Sequence, residues 1–288
     1  MKKLKSIYAM VPKTFLALGL MALIFAVSCT TEIEPSSGID QASVEADLIA
    51  QADFEEVDDL SSSMMELADG SSGGKIATHH DDRVSCAEVT HDTENHIIII
   101  DFGDGCTGPH GVTRAGKIII NYEGRRLVPG SYWIVTFEEF YINERHIEGV
   151  RTVTNISESL ETDPAFHILL EDGKVTWPDE TFATREVDQV RVWVRADDPV
   201  LDEFHILAES IAVGTTRNEV DFTCLVLEDL VYKRECRGDR IGRIPVAGVK
   251  EVKFGDRLFV IDFGDGECDT IVTITSNGET TTVDLSDR

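Results

Sequence analysis

The chain has 288 residues, and its 53 acidic against 26 basic side chains give a formal net charge of −27. This balance argues against a nucleic-acid partner, because phosphate binding requires a basic surface. Apolar residues make up 42% of the chain, which excludes a wholly disordered protein and predicts a body with a sizeable core.

Residues 1–28 have the pattern of a secretory signal peptide. A basic start is followed by an apolar run over residues 15–27, which is too short for a lasting membrane helix. The next residues complete a sequence, AVSC, that resembles the lipobox of bacterial lipoproteins, with Ala26 where that family usually has leucine. The resemblance implies cleavage before Cys29, acylation of Cys29 and a lipid-anchored mature protein. An ordinary signal peptide or an anchor helix is the alternative.

Residues 29–83 differ in composition from the rest of the chain. Fourteen acids and two bases occur between residues 30 and 83, together with clusters of Ser, Gly and Pro. The short helical patterns at residues 42–48 and 64–67 lack a wide apolar face. We therefore predict a disordered, flexible tether over residues 29–83, because such a segment buries too little apolar surface to offset its ordering entropy. Its first residues, TTEIE, resemble the export signal of surface lipoproteins in Bacteroidota-type bacteria.

From residue 84 to residue 288 the sequence changes to short β-favouring runs separated by turn residues, which predicts an all-β body. Continuous isoleucines at residues 97–100 and 118–120 predict strands covered on both faces, whereas other runs alternate. This mixture favours an antiparallel sandwich or a curled sheet. Asp172-Gly173 and Asn277-Gly278 predict two type I′ hairpin turns. The predicted strands are residues 96–102, 117–122, 132–142, 187–194, 257–263 and 270–275.

One pentapeptide, DFGDG, occurs twice, at residues 101–105 and 262–266. Each copy follows a β run and lies between two cysteines. We therefore predict two related units, about residues 84–180 and 181–288, that share one core. The motif resembles the turn of PKD-type immunoglobulin-like domains, which are extracellular β-sandwiches.

The aspartates of this pentapeptide have two interpretations. In the first, the glycines adopt positive φ and the aspartates accept hydrogen bonds from nearby backbone N–H groups in a turn. In the second, Asp101 and Asp104, or Asp262 and Asp265, contribute to a Ca²⁺ site, without the regular aspartate spacing of an EF-hand loop. No other cofactor is expected.

Five cysteines follow the lipobox. Because an exported protein meets an oxidising compartment, pairing is expected. The repeat predicts the disulfides Cys86–Cys106 and Cys236–Cys268, each contributing about 3 kcal/mol in the chain-entropy model. Cys224 is then left as a free thiol, and Cys224–Cys236 is the alternative pairing.

The sequence contains no GxSxG elbow, P-loop, HExxH or Rossmann fingerprint, so we expect no intrinsic catalysis. Residues 79–82 combine metal-ligand types but are expected to form a solvated end of the tether. Adjacent acids on a strand point to opposite faces, which favours edge or turn charges over a catalytic pair. The residues considered are His79, His80, Asp81, Asp82, Glu138, Glu139, Asp197 and Asp198.

Taken whole, the chain resembles the β-rich envelope lipoproteins of Bacteroidota-type bacteria, a resemblance that implies an outer-membrane location and no particular activity. We expect a lipid-anchored protein on the cell surface or the periplasmic face that acts by binding or as a structural element. Its expected partners are the membrane, through the lipid, and a glycan or an envelope protein. The alternative is a hydrolase or an accessory subunit acting on envelope or dietary glycans. Trp133, Trp177 and Trp193 are expected either in the core or in a glycan-stacking platform.

Overall fold

A computed structural model describes residues 41–70, 74–75, 81–236 and 244–285, all within one compact unit, Ile39–Arg288. The predicted signal peptide and Cys29 lie outside the described residues. Among the described helices, none is long and apolar enough to cross a membrane. The elements are α1 (Gln41–Asp69), β1 (Gly74–Lys75), β2 (Glu88–Asp92), β3 (Ile97–Asp101), β4 (Cys106–Thr107), β5 (Thr113–Glu123), β6 (Tyr132–Ile142), β7 (Arg145–Asn155), β8 (Ala165–Thr176), β9 (Phe182–Val194), β10 (Glu203–Ile206), β11 (Ile211–Thr215), β12 (Asp221–Lys233), β13 (Ala247–Phe254), β14 (Arg257–Asp265), β15 (Ile271–Ser276) and β16 (Glu279–Asp284).

The strands form one antiparallel sheet that follows chain order almost throughout. Two departures occur: β10 and β11 both pair with β9 and with β12, and the two-residue β4 pairs with β5. All six predicted strand runs fall on observed strands, so the all-β prediction for the body is confirmed. The predicted boundary near residue 180 does not divide the sheet, because β8 and β9 pair along almost their whole length on either side of it.

The sheet is curled around α1. Side chains of α1 bond to Arg114 on β5 and to Lys250 on β13, which are seven strand positions apart in the sheet. In a flat sheet these strands would be about 34 Å apart, whereas a helix with its side chains is about 10–12 Å wide. The sheet therefore bends so that both strands contact the same helix. Of the two predicted arrangements, a sandwich and a curled sheet, the structure has the curled sheet.

The isoleucine runs alternate in burial, against the prediction of strands covered on both faces. Ile98, Ile100, Ile118 and Ile120 are all 0% exposed, whereas their neighbours in each run are only partly buried. The alternating set faces α1 and the core, and the other set lies on the outer face of a single-layer sheet.

One of the two predicted hairpin turns is correct. Asn277 and Gly278 have φ of 52° and 81° between β15 and β16, as a type I′ turn requires. Asp172 and Gly173 instead lie inside β8, where the pairing register shifts against both neighbouring strands. They form a β-bulge, because the residues on either side continue the same strand.

The predicted tether is wrong over Gln41–Asp69, which forms the 29-residue helix α1. The six consecutive residues 53–58 are all buried, and six residues exceed one helical turn, so the helix is enclosed on every side. The apolar side chains Phe54, Val57, Leu60 and Met64 belong to the core. The composition was misleading because the sheet supplies bases that neutralise the acids of the helix, as described below. Residues 29–40, 71–73 and 76–80 of the predicted tether lie outside the described residues.

Candidate functional site

Buried ion pairs connect α1 to the inner face of the sheet. The helix side chains are acidic, and the sheet side chains that meet them are basic. Burial normally excludes such groups unless they are paired. The pairs are Asp47 with Arg185 and Lys250, Asp53 with Arg145, Glu55 with Arg191, Glu56 with Arg114, Asp58 with Arg151, and Asp59 with Arg191.

The bases occupy inward positions of four strands, β5, β7, β9 and β13. On β9, for example, Arg185 and Arg191 share a face with the buried Val187. Arg151 on β7 donates from both Nε and an Nη nitrogen to the two oxygens of Asp58. Such two-point contacts fix the orientation of both groups.

The carboxyl groups of α1 differ in how burial and charge balance. For Asp47, burial acts to raise the pKa, but the nearby cations Arg185 and Lys250 together outweigh it. The pKa of Asp47 is therefore lowered. For Asp58, burial dominates over Arg151, and the pKa rises to about 6. The interior of the helix–sheet contact therefore contains both a strongly ionised carboxylate and one that takes up a proton under mildly acidic conditions.

A cavity of about 440 Å³ lies between the second half of α1 and the inner face of the sheet. We call it the charged cavity. Its helix side presents Glu55, Asp58 and Asp59, and the segment at residues 81–83 contributes to its lining. Its sheet side combines arginines with aromatic rings. A concave site of this size is typical of small-molecule binding, although this one is lined by more charged groups than such sites usually have.

The aromatic wall is built from rings in contact with guanidinium groups. Trp193 and Phe204 stack with their centroids 6.1 Å apart. The Arg126 guanidinium lies 5.0 Å from the centroid of Trp193 and 5.6 Å from that of Phe166. The indole N–H of Trp193 donates to Asp202 at 3.0 Å, which fixes the ring in place.

Arg126 differs from the other arginines of the charged cavity. Arg83, Arg114, Arg191 and Arg234 each form an ion pair with a carboxylate. Arg126 is only 5% exposed, its Nε has no hydrogen-bond partner, and its guanidinium forms no ion pair with the residues that the structure describes. Burial lowers the pKa of Arg126, in the direction expected for a desolvated cation, although Glu66 acts against it.

The DFGDG aspartates form turns in both copies. Asp101 accepts a hydrogen bond from the N–H of Gly103 at 2.8 Å, and Asp262 accepts one from the N–H of Gly264 at 2.9 Å. Both glycines have positive φ, of 60° and 94°. Asp104 and Asp265 are exposed. Among the described residues no group of three or more His, Cys, Asp or Glu is placed to hold a metal ion, and the hydrogen bonds of Asp101 and Asp262 are those of the predicted turn.

Both predicted disulfides are present. Cys86 is bonded to Cys106 and Cys236 to Cys268, while Cys224 on β12 is a buried free cysteine. Each disulfide ties a cysteine that precedes a hairpin, β2–β3 or β13–β14, to the segment after DFGDG. The repeated sequence is therefore a repeated structural unit of hairpin, turn and disulfide, although both copies belong to one sheet.

The three tryptophans do not form an exposed platform. Trp133 on β6 is completely buried and donates to the hydroxyl of Ser61 on α1 at 3.2 Å. Trp177 is partly buried against the core, with the Arg217 guanidinium 4.5 Å from its centroid. Trp193 is the one that lines the charged cavity.

The remaining sequence candidates lie at turns and edges where they are described. Asp81 is buried and accepts from Arg83, whereas Asp82 is exposed; His79 and His80 lie outside the described residues. Asp198 caps a short 3-10 turn, and Glu138 lies 3.7 Å from Lys117 on the neighbouring strand. Asp197 and Glu139 are exposed, and Glu139 has a φ of 44° beside a bulge.

Sequence reasoning missed the helix acids and Arg126. One signal was available in the β runs, where some arginines lie on the same strand face as the inward-facing apolar residues. In the run VRVWV, for example, Arg191 points inward. Arg126 lies in the loop between β5 and β6 and has no such pattern.

Comparison of the chain with protein-family models, with curated proteins and with solved structures finds no match. The function therefore has to be argued from the charged cavity itself.

Proposed function

We propose that this chain is a lipid-anchored protein of the cell envelope that binds a small polar molecule in the charged cavity. The observation that supports binding is the cavity itself, with about 440 Å³ enclosed between an aromatic wall and a set of charged groups. Much of the wall comes from α1 and the strands of the sheet, which are rigid elements, and loop residues such as Arg126 complete it.

The envelope location is supported by the covalent chemistry of the chain. Two disulfides are typical of an oxidising compartment. The sequence up to Cys29 resembles a lipoprotein signal, and acyl chains on that residue would hold the protein to the outer membrane without a spanning helix. Mass spectrometry of the mature N-terminus tests this: we expect an acylated Cys29, and an unmodified N-terminus elsewhere would contradict the anchor.

Protease treatment of intact and lysed cells then distinguishes the two faces of the membrane. Digestion on intact cells would place the cavity on the cell surface, where it meets external molecules. Protection until lysis would place it on the periplasmic side, where it meets envelope components.

Binding in the cavity is tested by ligand-dependent thermal stability. The full-length protein in detergent is screened against neutral sugars, amino acids and small organic acids. Ser62 lines the cavity on α1, and Ser62→Trp fills it with an indole, whereas Ser159→Trp makes the same change at an exposed loop position. We expect at least one compound to raise the Tm of the wild type and of Ser159→Trp but not of Ser62→Trp. A silent screen, or equal shifts in both variants, would contradict the proposal.

A glycan hydrolase is the second candidate, and Asp58 is the observation that favours it. Asp58 lines the cavity, and burial raises its pKa to about 6, near the range of a general acid. Both of its oxygens, however, are held by Arg151, which leaves binding as the better-supported function. The measurement is release of reducing ends from envelope and dietary polysaccharides: turnover that is lost in Asp58→Asn would support a hydrolase, and no turnover by the wild type would exclude it on these substrates.

A further inference from the structure

Among the described residues, the charge pattern of the cavity leaves one cation without an ion pair. Five arginines line it, and four are paired with carboxylates of α1 or of nearby loops. Arg126 is the fifth, 5% exposed and without an ion pair among the described residues. A buried guanidinium that lacks an anion is costly, since its lost hydration is not repaid by the protein.

The protein partly compensates for this cost with aromatic rings. Trp193 and Phe166 lie within 6 Å of the Arg126 guanidinium carbon, at the distance of cation–π contacts. These contacts leave the N–H edge without an acceptor, and the Nε in particular is buried without a hydrogen bond. A guanidinium edge presents two parallel donors, and a carboxylate matches them with two oxygens.

We propose that the charged cavity binds a small organic monoanion whose carboxylate pairs with the Arg126 guanidinium while its body packs against Trp193 and Phe166. This inference rests on the proposed binding function and names the class of ligand. It also assigns Arg126 as the residue that determines that class.

The charge of the lining selects a monoanion. Seven carboxyl groups and five arginines face the cavity. The carboxyl groups therefore outnumber the arginines by two (7 − 5), and Arg126 is the lining arginine without an ion pair among the described residues. A single carboxylate can be matched by Arg126, whereas a dianion would bring a second negative charge close to the helix acids. Like charges in a partly desolvated site repel strongly. A phosphate ester is therefore disfavoured relative to a carboxylate.

The test compares matched charged and neutral probes by isothermal titration calorimetry with the full-length protein in detergent. Benzoate is compared with benzyl alcohol, and glucuronate with glucose. Inorganic phosphate, buffered above its second pKa, serves as the dianionic probe. We expect at least one carboxylate to bind at least tenfold more tightly than its neutral counterpart and than phosphate.

Two arginine variants make the assignment specific. Arg126→Met removes the unpaired guanidinium, and Arg125→Met removes the adjacent one, whose side chain is 73% exposed beside Asp69. The two variants have the same net charge. We expect carboxylate affinity to fall at least tenfold in Arg126→Met and to stay within twofold of wild type in Arg125→Met.

A measurement on the wild-type protein keeps the inference testable if Arg126→Met does not fold. Phenylglyoxal modifies arginine side chains, and peptide mass spectrometry locates the modified residues. We expect the binding carboxylate to protect Arg126 from phenylglyoxal, while Arg125 reacts equally with and without it.

Three outcomes would overturn the inference: none of the carboxylates binds, phosphate binds more tightly than both, or Arg126 is neither required nor protected. These outcomes are distinguishable from failure of the proposed function. If neutral compounds bind and Ser62→Trp abolishes their binding, the cavity is a binding site but not for a carboxylate. If Ser62→Trp changes no binding at all, the cavity is not the site.

Discussion

At the scale of single residues, substituting two buried arginines by methionine should change the stability of the protein to very different extents. Arg151 is 1% exposed and paired with Asp58, so Arg151→Met would leave a buried carboxylate without its cation. We expect this to lower the free energy of unfolding by about 3–5 kcal/mol. Arg126→Met removes a buried charge that forms no ion pair with the described residues. It loses the cation–π contacts and the longer-range attraction of Glu66, but it also relieves the cost of burying the charge, so we expect a change within about 1 kcal/mol.

Urea unfolding of both variants at pH 7 measures this contrast. A loss of several kcal/mol in Arg126→Met, equal to that in Arg151→Met, would show that Arg126 has an anionic partner within the folded chain.

Asp58 predicts a pH dependence of stability. Burial raises its pKa in the folded state to about 6 from an ordinary value of 3.8. Between these values the folded protein binds a proton that the unfolded chain does not. Stability from this group is therefore present below about pH 4 and is lost as the pH rises through 6.

The comparison of wild type with Asp58→Asn isolates this group, because asparagine does not titrate. From pH 4 to pH 7 we expect the free energy of unfolding of the wild type to fall, relative to the variant, by on the order of 2–3 kcal/mol. Parallel pH profiles from urea unfolding would contradict the assignment.

At the scale of elements, α1 is part of the core, and its apolar side chains should matter accordingly. Phe54 is 2% exposed in the core, so Phe54→Ala should cost about 3–5 kcal/mol of stability through lost burial and a residual cavity. A flexible tether would show no such effect. Glu66→Ala, at an exposed position of the same helix, is the control, with an expected change within about 0.5 kcal/mol. Thermal and urea unfolding give both values.

The elements also show which parts of the fold the sequence could predict. Strands and the Asn277-Gly278 turn follow from local residue preferences, which is why they were predictable. The helix was not, because its acids are neutralised by bases such as Arg185 and Lys250 that lie more than 130 residues away in the chain. Asp172-Gly173 has the local signal of a turn, yet pairing with β7 and β9 on both sides forces a bulge.

The candidate site was less predictable than the fold for the same reason. Trp193 is recognisable as a candidate from its residue type, but its role depends on Arg126 and Phe166, which reach it from other parts of the chain. Repetition within the sequence was the stronger guide: the two DFGDG copies predicted both disulfides, because related units repeat their bonding.

At the scale of the whole molecule, the disulfide pattern leaves one thiol inside the fold. Cys224 is 4% exposed, so reagents have little access to it. Burial also raises the pKa of its thiol, which lowers the fraction of the reactive thiolate. We expect the oxidised mature protein to show no reaction with a thiol reagent when folded and one thiol in denaturant without reductant. Cys224→Ala, which shows none in either condition, is the control. Labelling of Cys86, Cys106, Cys236 or Cys268 in denaturant, located by peptide mass spectrometry, would contradict the pairing.

The enclosure of α1 also has a consequence for the order in which the molecule is completed. The chain is synthesised from its N-terminus, so the acidic helix is made before any strand that binds it. Asp47 can bond to Lys250 only after another 203 residues have been added, and Gln51 can bond to Tyr232 only after another 181. Contacts this distant in sequence are slow to form, since chain entropy is lost before they contribute. The helix α1 is therefore made early but is among the last described elements to be enclosed, and folding is completed only after the strands up to β13 have been made.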